Sequence, residues 1–442
     1  MKKIIVLLLA IYSTSLWAAP LMQIDLSKGL AESFVYSKKV ESKEAEYQAA
    51  LERARSLRSN YFPSVFVDGQ YKKVSTVPSM TLPAPINRTV ELGQETNYSA
   101  GVNIQYLLTD FGQTTKSIKS ANEEALAQKA QHELSKEDLS LNLKNIFYKL
   151  RFQTSQLRSL LNAWNLASEQ QKDMERRFRS GTSSRLDLLN ATKESLNFKL
   201  KFLQMQREFS STLQDWMTLT GEKLYSDKLF RPLPHELGER VDLEPTLVVK
   251  VSDFEAAQNS KVELNKEHPA LLQLEHLKLA QEFKGDATFR SYFPKISLGA
   301  RSSIEYPLGG KNESYHQNAF FINLTMPLWD GGKRSGQGGS FDETQRALSL
   351  QKKHMEDEFE NNLNRLNNVI SQLKDEIKVA EEGGKEAEAL AKLTYQSYVN
   401  GRSNYIEVQS ANLKVLDWKT QTDSLKYAYS LAEAQMAYLG AK

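Results

Sequence analysis

Proline is missing from two long stretches of this 442-residue chain: none occurs between Asp110 and Pro232, and none follows Pro327. A helix interior excludes proline because the ring removes a hydrogen bond and clashes with the preceding turn. Within the first stretch Leu139, Ile146, Leu160, Ala167 and Met174 share one heptad position, and Leu143, Leu150, Leu157, Trp164 and Phe178 share the other. The second stretch repeats the pattern with Phe359, Leu366, Leu373, Ala380 and Ala387. Its other seam is Leu363, Ile370, Ile377, Gly384, Ala391 and Tyr398. Sustained heptads predict coiled-coil packing. A helix over 113–178 would be roughly 100 Å long at 1.5 Å per residue, beyond the reach of an ordinary globular core.

The two stretches are copies. Arg179 to Ala191 (R-S-G-T-S-S-R-L-D-L-L-N-A) resembles Val399 to Ala411 (V-N-G-R-S-N-Y-I-E-V-Q-S-A), with Gly181 and Gly401 220 positions apart. Asp110-Phe-Gly-Gln113 and Asp330-Gly-Gly-Lys333 keep the same offset. A tandem duplication explains this. Gly181 and Gly401 end the helices, and the neighbouring Ser, Thr and Asn cap returning ones. Each half is therefore a helical hairpin. Shorter helices are expected near 25–60 and 262–290.

Four segments alternate with period two. In 95–108, Tyr98, Ala100, Val102, Ile104, Tyr106 and Leu108 face one way, and Ser99, Gly101, Asn103 and Gln105 the other. Phe320, Ile322, Leu324 and Met326 share a face, although Phe321 breaks the polar side. Ile296, Leu298 and Ala300 alternate with Ser297, Gly299 and Arg301; Val65, Val67 and Tyr71 alternate with Asp68, Gln70 and Lys72. Each segment is long enough to cross a bilayer as a strand. Tyr61, Phe62, Tyr292 and Phe293 at two strand starts, with Phe111 and Trp329 past two strand ends, predict an aromatic belt at one membrane interface. A soluble sandwich shares the alternation, but helices of this length fit it poorly. An open four-stranded sheet would leave unpaired peptide groups in lipid, so strands from other copies must close it.

Lys+Arg number 57 against Asp+Glu 54, a net charge of +3, too weak a basic field for a nucleic-acid partner. Without cysteine the sequence has no thiol catalysis, thiolate metal site or disulfide, and a lipid on an N-terminal cysteine is not expected. A mean hydropathy of −0.51 excludes a bundle of membrane helices. Lys2 and Lys3, then the apolar run Ile4 to Ile11 and Ala18-Ala19, predict a signal peptide over 1–19, which fits the periplasm or outer membrane of a Gram-negative cell. No nucleophile–base pair stands out, so no enzymatic activity, cofactor or metal is expected.

In this order and spacing the motifs resemble the TolC-type outer-membrane factors (the outer membrane efflux protein family). They include the Pro63 and Pro294 strand starts, His268-Pro269, the two glycine tips, and the L-D-L-L-N-A and I-E-V-Q-S-A segments. The resemblance implies an α+β membrane protein. Long coiled-coil hairpins would form an α-barrel, and four transmembrane β-strands per chain would contribute to a shared trimeric β-barrel. It implies an exit duct for a tripartite efflux pump or type I protein secretion, lodged in the outer membrane and extending into the periplasm. Its partners would be a periplasmic adaptor, an inner-membrane ABC or proton-driven transporter, outer-membrane lipid and two further copies in a homotrimer. The alternative is a periplasmic coiled-coil scaffold or adaptor outside the membrane.

The implied organisation is a first repeat over 20–221 (strands 63–77 and 95–108, hairpin 111–220), an equatorial linker over 222–260, and a second repeat over 261–442 (strands 294–305 and 316–328, hairpin 333–440). By the same resemblance Asp187 and Tyr398 would belong to a latch at the periplasmic tip. Arg402 would stand in for a latch arginine, at whose own place Ser403 lies. Glu407 would form a ring that selects cations, while Ser410 departs from the pattern at a second ring. Gly181, Ser183, Ser184, Gly401 and Ser403 would dock the adaptor. Gly383-Gly384 weakens its helix by about 1 kcal/mol per glycine, which makes it the expected hinge.

Overall fold

The computed structural model describes residues 22–223, 247–249, 262–309 and 311–440. The expected signal peptide and most of the expected linker lie outside them. The chain divides into two compact units. The first comprises Met1–Lys38, Lys136–Asn265 and Glu360–Lys442, the second Lys39–Ser135 and Lys266–Phe359. Each unit therefore takes part of both repeats.

In chain order the elements are β1 (Met22–Ile24), α1 (Leu26–Tyr36), α2 (Lys38–Arg58), β2 (Ser64–Lys73), β3 (Ser79–Thr81), β4 (Thr89–Glu91), β5 (Thr96–Thr109), α3 (Gln113–Arg179) and α4 (Arg185–Thr220). They continue with β6 (Leu247–Val249), α5 (Pro269–Arg290), β7 (Lys295–Tyr306), β8 (Tyr315–Thr325), α6 (Lys333–Val399) and α7 (Tyr405–Leu439). Helices α3 and α6 each run 67 residues and pass through both units. The strands expected over 63–77 and 316–328 are shorter here. The chain after Lys73 leaves the ladder before the small β3–β4 hairpin, and β8 stops before Pro327, which has no N–H to donate.

The second unit carries the sheet, in the order β2-β5-β7-β8 and antiparallel throughout. Its faces are reversed relative to a soluble sheet. Phe320, Ile322 and Leu324 are 87%, 73% and 67% exposed, and the apolar sides of β2 and β5 are exposed as well, whereas Asn103 and Ser303 are buried. The polar side is knitted across strands. Asp68 accepts from Asn103 and, at 3.0 Å, from Arg301. Glu305 accepts from Ser303 at 2.9 Å and Tyr315 at 3.0 Å. Phe321, the apolar intruder on that side, pairs with Gly299, where a Cβ would come within 2.0 Å of its ring. An aromatic ring thus covers a glycine across the ladder. The register sets the starts of β2 and β7 beside the ends of β5 and β8. At that end Phe111 and Phe293 lie 6.0 Å apart, and the Arg334 guanidinium sits 4.3 Å above Tyr292.

Helices α2, α5 and the first part of α3 in this unit bury alanines, among them Ala50, Ala54, Ala121, Ala125, Ala280 and Ala287. Small side chains allow close helix approach, and polar links join the backbones, as where Ser120 Oγ donates to the Ala280 carbonyl at 2.9 Å.

The first unit is built on large side chains. Leu143, Leu150, Leu157 and Trp164 of α3 pack with Phe198, Phe202, Phe209, Leu213 and Trp216 of α4. Full burial of such side chains contributes about 1.5–3 kcal/mol each. The two matching seams on α6 bury Leu363, Ile370 and Ile377, and Leu366, Leu373, Ala380 and Ala387. Residues Met22–Ile24 pair in parallel with Leu247–Val249, and Leu264 bridges Gly440.

Candidate functional site

The two hairpin turns repeat each other bond for bond. At the first, Gly181 N donates to Phe178 O at 3.0 Å and Thr182 N to Arg177 O at 2.9 Å. At the second, Gly401 N donates to Tyr398 O at 2.9 Å and Arg402 N to Ser397 O at 2.8 Å. The glycines have φ of +76° and +71°, the left-handed conformation that closes a helix C-terminus at little steric cost.

Each returning helix is capped locally, which gives two of the expected site residues a shared role. Ser184 Oγ accepts from Asp187 N at 3.1 Å, and Asp187 Oδ2 accepts from Ser184 Oγ at 2.9 Å and Ser183 Oγ at 3.3 Å. Asn404 Oδ1 accepts from Glu407 N at 3.0 Å, and Glu407 accepts from Asn404 Nδ2 at 2.9 Å and from Ser403 Oγ. Asp187 and Glu407 are thus one position of the repeat, the third helical residue; Asp187 completes a capping box with Ser184, and Glu407 pairs with the side chain of its N-cap Asn404. Both carboxylates also suit the positive end of the helix dipole.

Tyr398 is half-buried, and its hydroxyl donates to Met174 Sδ at 3.1 Å. Its ring stands edge-on to Tyr405, centroids 5.6 Å apart, and the Arg177 guanidinium lies 5.8 Å from its centre. Within the chain Asp187 and Tyr398 do not bond to each other. Arg402 and Gly181 are exposed, and among the described residues Arg402 is bonded through its backbone.

The expected hinge has a packing reason. Helix α6 continues through Gly383 and Gly384, and Trp418 of α7 lies against the first. A Cβ on Gly383 would stand 2.9 Å from two atoms of that ring, whereas one on Gly384 would meet only Trp418 Cβ at 3.9 Å.

Sequence reasoning passed over a buried polar cluster behind these turns. Tyr405 Oη of α7 lies within hydrogen-bond distance of Gln170 Oε1 of α3, at 3.3 Å, and of Glu194 Oε2 of α4, at 3.5 Å. Asn412 Nδ2 donates to Gln170 Oε1 at 3.2 Å. Further along, Asp423 accepts from Ser155 Oγ at 2.7 Å and Gln156 Nε2 at 3.2 Å, so α7 is joined to α3 at several levels. Burial pushes the carboxyls of Glu194 and Asp423 above the usual range. A readable signal existed: Glu194 falls between Ala191 and Phe198 on the apolar stripe of α4. Among the described residues no cluster of His, Asp and Glu forms a metal site. No described helix is long and apolar enough to cross a membrane.

Comparison with known proteins agrees with this geometry. The profile described as Outer membrane efflux protein matches residues 34–222 and 262–440. No curated protein sequence matches the chain. Among solved structures, CusC, described in connection with transmembrane channel formation, superposes with a TM-score of 0.75 at 16% identity, covering 98% of this chain and 96% of its own. The outer membrane protein VceC of Vibrio cholerae gives 0.73 at 14% identity, covering 94% and 96%. The open-state MtrE outer membrane channel of Neisseria gonorrhoeae gives 0.71 at 14%, covering 93% and 88%. At such identities the superpositions speak for the fold.

Proposed function

Because this chain belongs to the outer membrane efflux protein family, we propose that it is the exit duct of a tripartite efflux pump or a type I protein secretion system. Its place is the outer membrane. The duct is passive, and a periplasmic adaptor and an inner-membrane ABC or proton-driven transporter open it at the turns around Gly181 and Gly401.

The observation that carries this reading is the reversed sheet. A sheet with large apolar side chains outward and an Asp68–Asn103–Arg301 network on its covered side is arranged for lipid outside and water inside. Among the described residues β2 and β8 are its two edges. Open edges are not tolerated in hydrocarbon, and three copies supply twelve strands, enough to close a barrel. A periplasmic scaffold has no use for such a face.

At the turns, Asp187, Tyr398 and Arg402 serve as latch residues between neighbouring hairpins, and Gly181, Ser183, Ser184, Gly401 and Ser403 present the adaptor-docking surface. Three Glu407 carboxylates around a narrow axis favour cations. Their local capping bonds hold them at the start of α7.

The test is the native mass of protein extracted from outer membranes with mild detergent. A trimer that conducts in planar bilayers supports the duct. A monomer in the soluble periplasmic fraction overturns it.

A further inference from the structure

Three helices meet just inside the turns around one carboxyl group. Glu194 on α4 is 5% exposed, and its partner Tyr405 on α7 is 1% exposed. The Tyr405 hydroxyl lies between two acceptors, Gln170 Oε1 on α3 at 3.3 Å and Glu194 Oε2 at 3.5 Å. Glu194 Oε1 is buried without a hydrogen-bond partner among the described residues.

The protons do not add up if Glu194 is ionised. A phenol has one proton to give and lone pairs to accept with, so Tyr405 can serve only one of its two acceptors. An ionised Glu194 would then hold a buried charge on one long hydrogen bond from Tyr405, with the Gln409 amide, whose Nε2 already donates to the Asn190 carbonyl at 2.9 Å, as its other support. A protonated Glu194 supplies the missing donor. Its O–H donates to Tyr405 Oη, Tyr405 donates to Gln170 Oε1, and Asn412 completes that oxygen at 3.2 Å. The chain of bonds then runs in one direction from α4 through α7 to α3.

We propose that Glu194 is a proton-operated clasp between the two hairpins of one chain. Protonated, it ties α7 to α3 and α4 through Tyr405 and Gln170; ionised, it favours separation of α7, which lets the carboxylate reach water. Tyr405 also stacks edge-on with Tyr398, so release of the clasp is felt at the turn itself.

The surrounding groups leave Glu194 in control. On α4 the adjacent Lys193 acts weakly to favour the charged form, as do Gln409 and Tyr405 on α7, but burial outweighs them and raises the carboxyl. On α6, Tyr395 and Tyr398 act on Tyr405, whose hydroxyl burial pushes strongly up, so that it stays protonated. On α3, Arg177 Nε engages Asp173 at 2.7 Å. The clasped carboxyl binds its proton more tightly than a released one. The clasp is therefore strongest below its raised value and weakens as pH rises through it.

The conductance readout rests on the duct reading; a second readout does not. Full-length protein is placed in planar bilayers and its current followed from about pH 4 to about pH 9, the span that includes a raised carboxyl. Wild-type current is expected to rise with pH, the opening equilibrium shifting about tenfold for each pKa unit between clasped and released carboxyl. Glu194→Gln keeps a donor to Tyr405 and cannot ionise, so its current stays low and flat. Tyr405→Phe breaks the chain of bonds, giving a higher current with the pH response lost. A Glu194→Gln response equal to wild type overturns the proposal. Independently, one component of the infrared band of protonated carboxylic acids should titrate above the ordinary glutamate range and be lost in Glu194→Gln, while the component from Asp423 remains. If no variant conducts at any pH, the duct reading fails and the Glu194 component alone decides: its loss in Glu194→Gln supports the clasp, and its absence from wild type overturns it.

Discussion

Replacing Gly383 by alanine sets two effects against each other on α6. Alanine is a better helix former than glycine by about 1 kcal/mol, a gain that either Gly383 or Gly384 offers. At Gly384 nothing opposes it, since Trp418 Cβ would stand at 3.9 Å, an ordinary contact. At Gly383 the new methyl meets ring atoms of Trp418 at 2.9–3.0 Å, roughly 0.5–1 Å inside the favourable carbon–carbon separation. Trp418 is 37% exposed and its ring can give way, but only by lifting off α6, and overpacking of this kind costs about 1–3 kcal/mol.

Gly384→Ala should therefore raise stability by about 1 kcal/mol, and Gly383→Ala should fall between neutral and about 2 kcal/mol destabilising. Trp418→Ala should remove the difference between the two. Thermal unfolding of the detergent-solubilised protein, followed by far-ultraviolet circular dichroism, measures all three variants and the double-mutant cycle. Equal stabilisation by both alanines, with no coupling between position 383 and Trp418, would refute the packing argument and return Gly383 to the role of a hinge. Export measured alongside separates the two ideas further, since a hinge residue alters transport without touching Trp418.

On the outward face of the sheet, Leu324→Arg should cost about 2–4 kcal/mol if that position lies at mid-bilayer; heat-modifiable migration of the assembled barrel checks this, with Asn323→Lys on the other side as the tolerated control. Asp187→Ala and Glu407→Ala should each lose about 0.3–1 kcal/mol of stabilisation at the helix N-terminus, whereas Glu407→Gln should lower cation selectivity, seen as a smaller reversal potential in a salt gradient. An unchanged reversal potential would leave Glu407 with its capping role alone. Glu275 on α5 is held below the usual range, first by Lys278 and also by Lys352, against burial. Its folded value is depressed, so its contribution to stability is present above the unfolded value of about 4.3 and is lost as pH falls through the folded one. Melting points of wild type and Glu275→Gln should differ at neutral pH and converge in acid.

Much of this architecture is written in neighbouring residues. The heptads, the strand alternation, the glycine turns and the capping residues after them depend on contacts a few positions apart, which a one-dimensional pattern records. The same pattern placed Asp187 and Glu407 at equivalent points of the repeat, although the family resemblance implied different duties for them. Other features needed the helices side by side. Gly383 reads as a weak point until Trp418, 35 positions later, is laid against it. Phe321 reads as an error in the polar face until Gly299 is found beneath it. Glu194 reads as a misplaced charge on the apolar stripe of α4 until Tyr405 and Gln170 close over it from two other helices. The compact units also cut across the repeats. A duplicated sequence reports how each half is built, but which half covers which depends on side chains hundreds of positions apart. Local hydrogen bonding and periodicity cost little chain entropy to satisfy and are therefore legible in sequence, whereas burial of a charge or coverage of a glycine is decided only when distant segments pack.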